Sequence, residues 1–221
     1  MRKLYRLKLT VLTAIIVGTG ISSCKKKDST PTPAPVVNNN NNNNNNVLTA
    51  NFYFQATIDG TVVTFQNGIG GYGAGGGSES GSEPSGWQEA QSTIVTKGFS
   101  SQNMGGFYIM KTFANEPSMA QIESMVAIQS YPYGKLSPST DIDGIDGAKV
   151  FYYDNNSVEW STDLGSANQT GSTFNITEHI ANTDGYSQHI SKATFNCKLY
   201  NSTGASKTLT NGLCRGRTVY Y

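Results

Sequence analysis

The chain has 221 residues, 16 basic against 15 acidic, with 24 Gly, 12 Tyr, 9 Phe and only 14% charged residues. A near-neutral balance argues against a nucleic-acid binder held by phosphate contacts. The charge-poor, Gly- and aromatic-rich composition favours strands joined by Gly turns over a helical bundle.

Arg2, Lys3, Arg6 and Lys8 precede an apolar run from Leu9 to Ile21. The run is shorter than the ~20 residues of a membrane span, and residues 1–23 read as a secretory leader. Ile21-Ser-Ser-Cys24 resembles a bacterial lipoprotein signal. In such a signal, small residues admit a peptidase and the Cys takes a diacylglyceryl thioether. The resemblance implies lipidation of Cys24, and two or three acyl chains would hold the protein stably at a membrane. The plainer alternative is a cleaved leader followed by a chance cysteine. Without residues 1–23 the chain carries 12 basic against 15 acidic residues, or −3. From Val47 onward it carries 9 against 14, or −5.

Residues 24–46 read as a linker. Lys25, Lys26 and Lys27 suit lipid headgroups beside the anchor. Pro31, Pro33, Pro35 and the nine asparagines Asn38 to Asn46 have no apolar area to offset ordering entropy, so a disordered tether is expected. A coil of ~22 residues reaches roughly 25 Å. Asp28-Ser29-Thr30 resembles the short Asp-Ser/Thr-x site at which Bacteroidota O-glycosylate exported proteins, which implies a candidate glycan at Ser29; an unmodified polar linker is the other reading.

Residues 47–221 read as one domain. Phe52, Phe54, Ala56 and Ile58 alternate with polar neighbours as a half-buried strand does. Asp59-Gly60 marks a tight hairpin returning along Thr61–Phe65. Residues 67–86 read as a Gly/Ser loop. It contains Gly68-Ile-Gly-Gly-Tyr-Gly73, which fits a dinucleotide fingerprint but is followed by Ala74-Gly-Gly-Gly-Ser, unable to open the helix that fingerprint requires. Gln88–Thr96 and Gly106–Phe113 read as strands. Pro117–Ile128 reads as a helix or an irregular strand, with Met119, Ile122 and Val126 near one face. Ala148–Asp154 and Ser157–Thr162 form an expected hairpin across Asn155-Asn156. Ser172–Ile180, Lys192–Tyr200 and Gly212–Tyr221 complete the set. The expectation is an all-β, antiparallel β-sandwich or flattened barrel of about eight to nine strands, with at most one short helix near 117–128.

Several short segments carry a family resemblance: Ala56-Thr-Ile-Asp-Gly60, Trp160-Ser-Thr, Gly171-Ser-Thr-Phe-Asn-Ile176 and Leu209-Thr-Asn-Gly-Leu-Cys214. They are similar to the uncharacterised outer-membrane lipoproteins common in Bacteroidota. Those often open on an Ile-Asp-Gly hairpin and close on a Gly-x-Phe strand, a turn and a Thr-Asn-Gly-x-Phe strand. Here Ala193-Thr-Phe195 replaces the first Gly-x-Phe, and Cys214 stands in place of the second Phe. The resemblance implies an outer-membrane location and a β fold, in an undecided leaflet, and implies no chemistry.

Asp141, Asp143 and Asp146, with Gly144 and Gly147, form the best metal candidate, a weak hard-oxygen set for calcium. Their spacing is not that of an EF-hand, and Asp-Gly pairs are more often plain turns. His179 and His189 fall on neighbouring strands but lack companions at zinc spacing. No nucleophile elbow exists, since Gly77-Ser-Glu-Ser-Gly81 carries Glu79 at its centre. No cofactor is called for. Trp160 reads as core packing, and Trp87, at the end of the Gly/Ser loop, as the better candidate for a ligand contact. With Cys24 consumed by lipid, Cys197 and Cys214 are left as a disulfide pair on the last two strands, or as two buried thiols. The functional expectation is a membrane-anchored binding or structural module, its partner a glycan or an envelope protein. The alternative is a surface glycan-handling accessory or hydrolase.

Overall fold

The computed structural model describes residues 48–83, 86–98, 102–136, 144–181 and 188–219. The leader, Cys24, Ser29, the linker, Asp141 and Asp143 lie outside the described residues.

The first hairpin follows from its own sequence. Strand β1 (Tyr53–Ile58) turns every second side chain inward, and β2 (Thr61–Gln66) returns beside it. Asp59 and Gly60 have φ of 46° and 81°, the mirror-image turn whose twist matches the strands. Asp59 Oδ1 also accepts the Thr208 amide at 2.9 Å, tying the turn to the last strand.

The remaining elements in chain order are β3 (Tyr72–Gly75), β4 (Ser78–Glu83), β5 (Gly86–Lys97), β6 (Met104–Phe113), α1 (Met119–Ser124), β7 (Gly147–Tyr153), β8 (Glu159–Ser161), β9 (Thr173–Ala181), β10 (Gln188–Tyr200) and β11 (Ser206–Val219). The strands run antiparallel in the order β2-β1-β11-β10-β8-β7-β6-β5-β3. This path curls into a nearly closed, flattened barrel. β4 shares one edge of β5 with β3, and β9 shares one edge of β10 with β8.

The barrel interior is aromatic. Phe54, Phe107, Phe174 and Phe195 are all fully buried, with Phe174 stacked on Phe195 at 5.9 Å and Phe107 edge-on to Phe174 at 5.4 Å. The helix is shorter than the 117–128 expected. Ser118 N and Oγ both donate to Gln121 Oε1 at 2.9 Å, which starts it. Ile122, Met125 and Val126 then go into the core. The Tyr131 hydroxyl donates to the carbonyls of Met125 at 2.7 Å and Ala127 at 2.8 Å, satisfying groups a short helix leaves open.

Two expectations are corrected. Residues 67–86 are not one loop, because β3 and β4 both lie there, each paired to β5 in an antiparallel ladder. Small side chains weaken strand signals in sequence without preventing a ladder. The last strand does not begin at Gly212 but at Ser206. The chain reverses at Asn201–Ala205, where Asn201 Oδ1 accepts the amides of Thr203 at 3.1 Å and Ala205 at 2.9 Å. Asn211-Gly212 is instead a bulge inside β11, with Asn211 at φ 52° and the register shifting opposite Phe195–Cys197. Only Gly fits there, since a Cβ at 212 would lie 2.2 Å from the Phe195 ring.

That register removes the expected disulfide. Cys197 faces Leu209 and Cys214 faces Ala193 across the β10–β11 ladder. Four residues of strand separate those positions, about 13 Å, against the ~7 Å that a bridge tolerates. Both cysteines are free and buried.

Candidate functional site

The strongest gathering of ionisable groups lies on the outer face of β6, β7 and β8. Interior positions of β7 are Ala148, Val150 and Tyr152, so Lys149, Phe151 and Tyr153 point outward. Register places Tyr108 of β6 beside Lys149, and Glu159 of β8 beside Tyr153. Lys149 Nζ sits 3.2 Å from Asp163 and 3.6 Å from Glu159. Ser161 Oγ donates to Asp163 Oδ1. Tyr153 donates to Glu159 Oε2 at 2.9 Å, and Tyr108 donates to Glu79 Oε1 of β4 at 3.1 Å. The Lys149 ammonium also stands 5.8 Å from the Tyr108 ring centre.

Exposure is graded across this array. The side chains of Lys149 and Asp163 are 11% and 7% exposed, whereas that of Glu159 is 34% exposed. One ammonium facing two carboxylates leaves a net negative charge at the rim. Burial, with Glu159 accepting its proton, pushes the Tyr153 phenol up to about 12. Burial pushes Tyr108 higher still, aided by the Glu79 charge. Both phenols are therefore neutral hydrogen-bond donors at ordinary pH, with no phenolate nucleophile available. Ser161 is fully buried and its proton is committed to a carboxylate that Lys149 already neutralises, which does not activate a nucleophile. The array is built to hold polar atoms in fixed places.

A second polar group lies inside the barrel. The interior face of β5 carries Glu89, Gln91 and Thr93, all nearly fully buried. Gln91 Nε2 donates to Glu89 Oε1 at 2.6 Å, and burial raises the Glu89 carboxyl above the usual range. Thr93 and Thr218 of β11 share a hydrogen bond at 2.9 Å. Thr218 is in register with His189, whose ring meets His179 edge-on at 5.2 Å. Burial pushes His189 down to about 4, with His179 adding to the shift, and His179 is lowered by burial as well. The two histidines are neighbours, as their strands suggest, and no group of three metal-binding side chains forms among the described residues.

Asp146 is a structural acceptor, taking the Thr112 amide on Oδ1 at 2.7 Å. Trp87 belongs to β5, half-buried opposite Phe113, with its indole nitrogen shut off from solvent. Trp160 packs against the core, donates to Asp154 at 3.1 Å and carries Lys207 over its ring at 4.5 Å. A cleft of about 320 Å³ lies between residues 131–135 and the loop holding Gln169, lined by Tyr131, Tyr133, Lys135, Thr162 and Ser172. Sequence reasoning missed the Lys149 array. Its members are separated by up to 84 positions, from Glu79 to Asp163, and only sheet register brings them together.

Compared with known proteins, the chain matches no family model, no curated protein and no solved structure.

Proposed function

We propose that the protein is a lipid-anchored cell-envelope lipoprotein whose β domain is a binding module, and that the Lys149 array takes a polyhydroxylated ligand of the glycan class. The Glu159 carboxylate carries this reading. It is fixed from below by Lys149 and from the side by Tyr153, and a third of its side chain stays open. A carboxylate held in this way is a ready acceptor for sugar hydroxyls, and the adjoining tyrosines supply ring surface. The anchor part rests on the leader and Cys24, and the outer membrane is the proposed location.

A glycan array probed with the wild-type chain and with Glu159→Gln tests the ligand. Binding to a defined glycan that falls at least tenfold in the variant is expected; equal binding by both chains rejects the site. Release of reducing ends from a bound polysaccharide would move the reading to the hydrolase alternative. Palmitate labelling tests the anchor, with loss in Cys24→Ala expected and unchanged labelling refuting it.

A further inference from the structure

We infer that the outer face of β9, β10 and β11 beside Phe52 docks on an anionic lipid-headgroup surface. This rests on the lipid anchor proposed above. Two cross-strand rows make the face. Ile190 of β10 lies between Ile180 of β9 and Arg217 of β11, and Lys192 lies between Glu178 and Arg215. These residues point outward, since the alternating His189, Ser191 and Ala193 are buried. The guanidinium groups of Arg215 and Arg217 stand 5.7 and 5.5 Å from the Phe52 ring centre. Ile180 is 47% exposed.

Charge is segregated here. Three cations face one carboxylate, Glu178, which accepts from Arg215 at 2.7 and 3.0 Å. The patch is thus +2 on a region that is −5 from Val47 onward. Exposed isoleucine and a Phe between two arginines add an apolar component, and basic charge beside apolar surface is what headgroup phosphates over acyl chains attract.

Position supplies the second argument. The chain enters the domain at this face, because Arg215 Nη1 donates to the Asn51 carbonyl at 2.7 Å and Phe52 follows directly. An acyl group on Cys24 would join the membrane to the chain 28 residues before Phe52, on the side of the sequence that leads into this patch. Attraction between exposed charges fades over ~8 Å at physiological salt, so the patch acts once the domain touches the surface, and a membrane anchor raises how often it does.

The test uses the full chain carrying Cys24→Ala, so that no acyl group contributes, and every variant shares the same N-terminal segment. Co-sedimentation is measured with vesicles of phosphatidylcholine doped with phosphatidylglycerol, and with phosphatidylcholine alone. Lys192→Gln with Arg217→Gln should lower partition to the anionic vesicles about 25-fold, near fivefold per charge. Arg217→Lys should retain it, and Lys111→Gln with Lys135→Gln, away from the patch, should leave it unchanged. Equal binding by the patch variant and its parent overturns the inference, as does equal loss in the Lys111/Lys135 variant. Failure of the anchor would show separately, as unchanged palmitate labelling of Cys24→Ala.

Discussion

Cys197 and Cys214 both face the barrel interior, yet each lies opposite an apolar residue, Leu209 and Ala193, rather than opposite the other. Burial pushes the Cys197 thiol up to about 12 and Cys214 higher still. Both are small apolar core groups in practice. Thiol titration of the Cys24→Ala chain, unfolded without reductant, should count two free thiols. The folded chain should resist alkylation, because thiolate is the reactive form. Finding no titratable thiol would restore the bridge.

His189 makes the domain acid-sensitive. Its folded-state value of about 4 lies below the 6.5 of the unfolded chain, so the unfolded state binds the proton first. Stability is complete above about 6.5, declines as pH falls toward 4 and levels off below that, by on the order of 3 kcal/mol. Urea midpoints at about pH 7 and about pH 4 measure this slope. His189→Gln should flatten it, whatever its effect at neutral pH. A slope as steep in the variant as in the parent would assign the acid response to the carboxylates.

Two glycine substitutions separate strain from crowding. Gly60→Ala meets open space but must hold φ near 81°, and should cost about 1 kcal/mol. Gly212→Ala drives a methyl to 2.2 Å from the Phe195 ring and 2.7 Å from its carbonyl oxygen. It should cost about 3 kcal/mol or prevent folding. Thermal melts of the two variants should rank in that order, and the reverse ranking would contradict the bulge geometry.

Lys149→Met should destabilise by about 2–3 kcal/mol, since it leaves Asp163 nearly buried without a counter-charge. Adding Asp163→Asn should recover part of that loss. A double-mutant cycle reads the coupling, and strict additivity would mean the pair does not act as a unit.

The first hairpin was legible because Asp59-Gly60 and the alternation from Phe52 to Ile58 are local signals that tertiary packing leaves intact. Asn211-Gly212 carries the same local signal and means something else. Asn tolerates a positive φ in a bulge as well as in a turn, and only the Phe195 ring beside Gly212 decides between them. Strands β3 and β4 were invisible because most of their residues are Gly, Ser or Glu, which pair with β5 without the apolar alternation that marks a strand. The neighbouring histidines followed from strand order. Glu79, Tyr108, Lys149, Glu159 and Asp163 did not, because they come from four strands and the turn after β8 and converge only in the folded sheet.

Strand β4 has a consequence for how copies of the chain meet one another. Its sequence, Ser78-Glu-Ser-Gly-Ser-Glu83, pairs with β5 along one side, and no other described strand pairs with its other side. Such a margin invites another chain to extend the sheet. Here the strand's own sequence opposes that, since two acidic residues in six and no apolar one make a second copy an unfavourable partner. The chain should therefore gain no tendency to polymerise through this margin as its concentration rises.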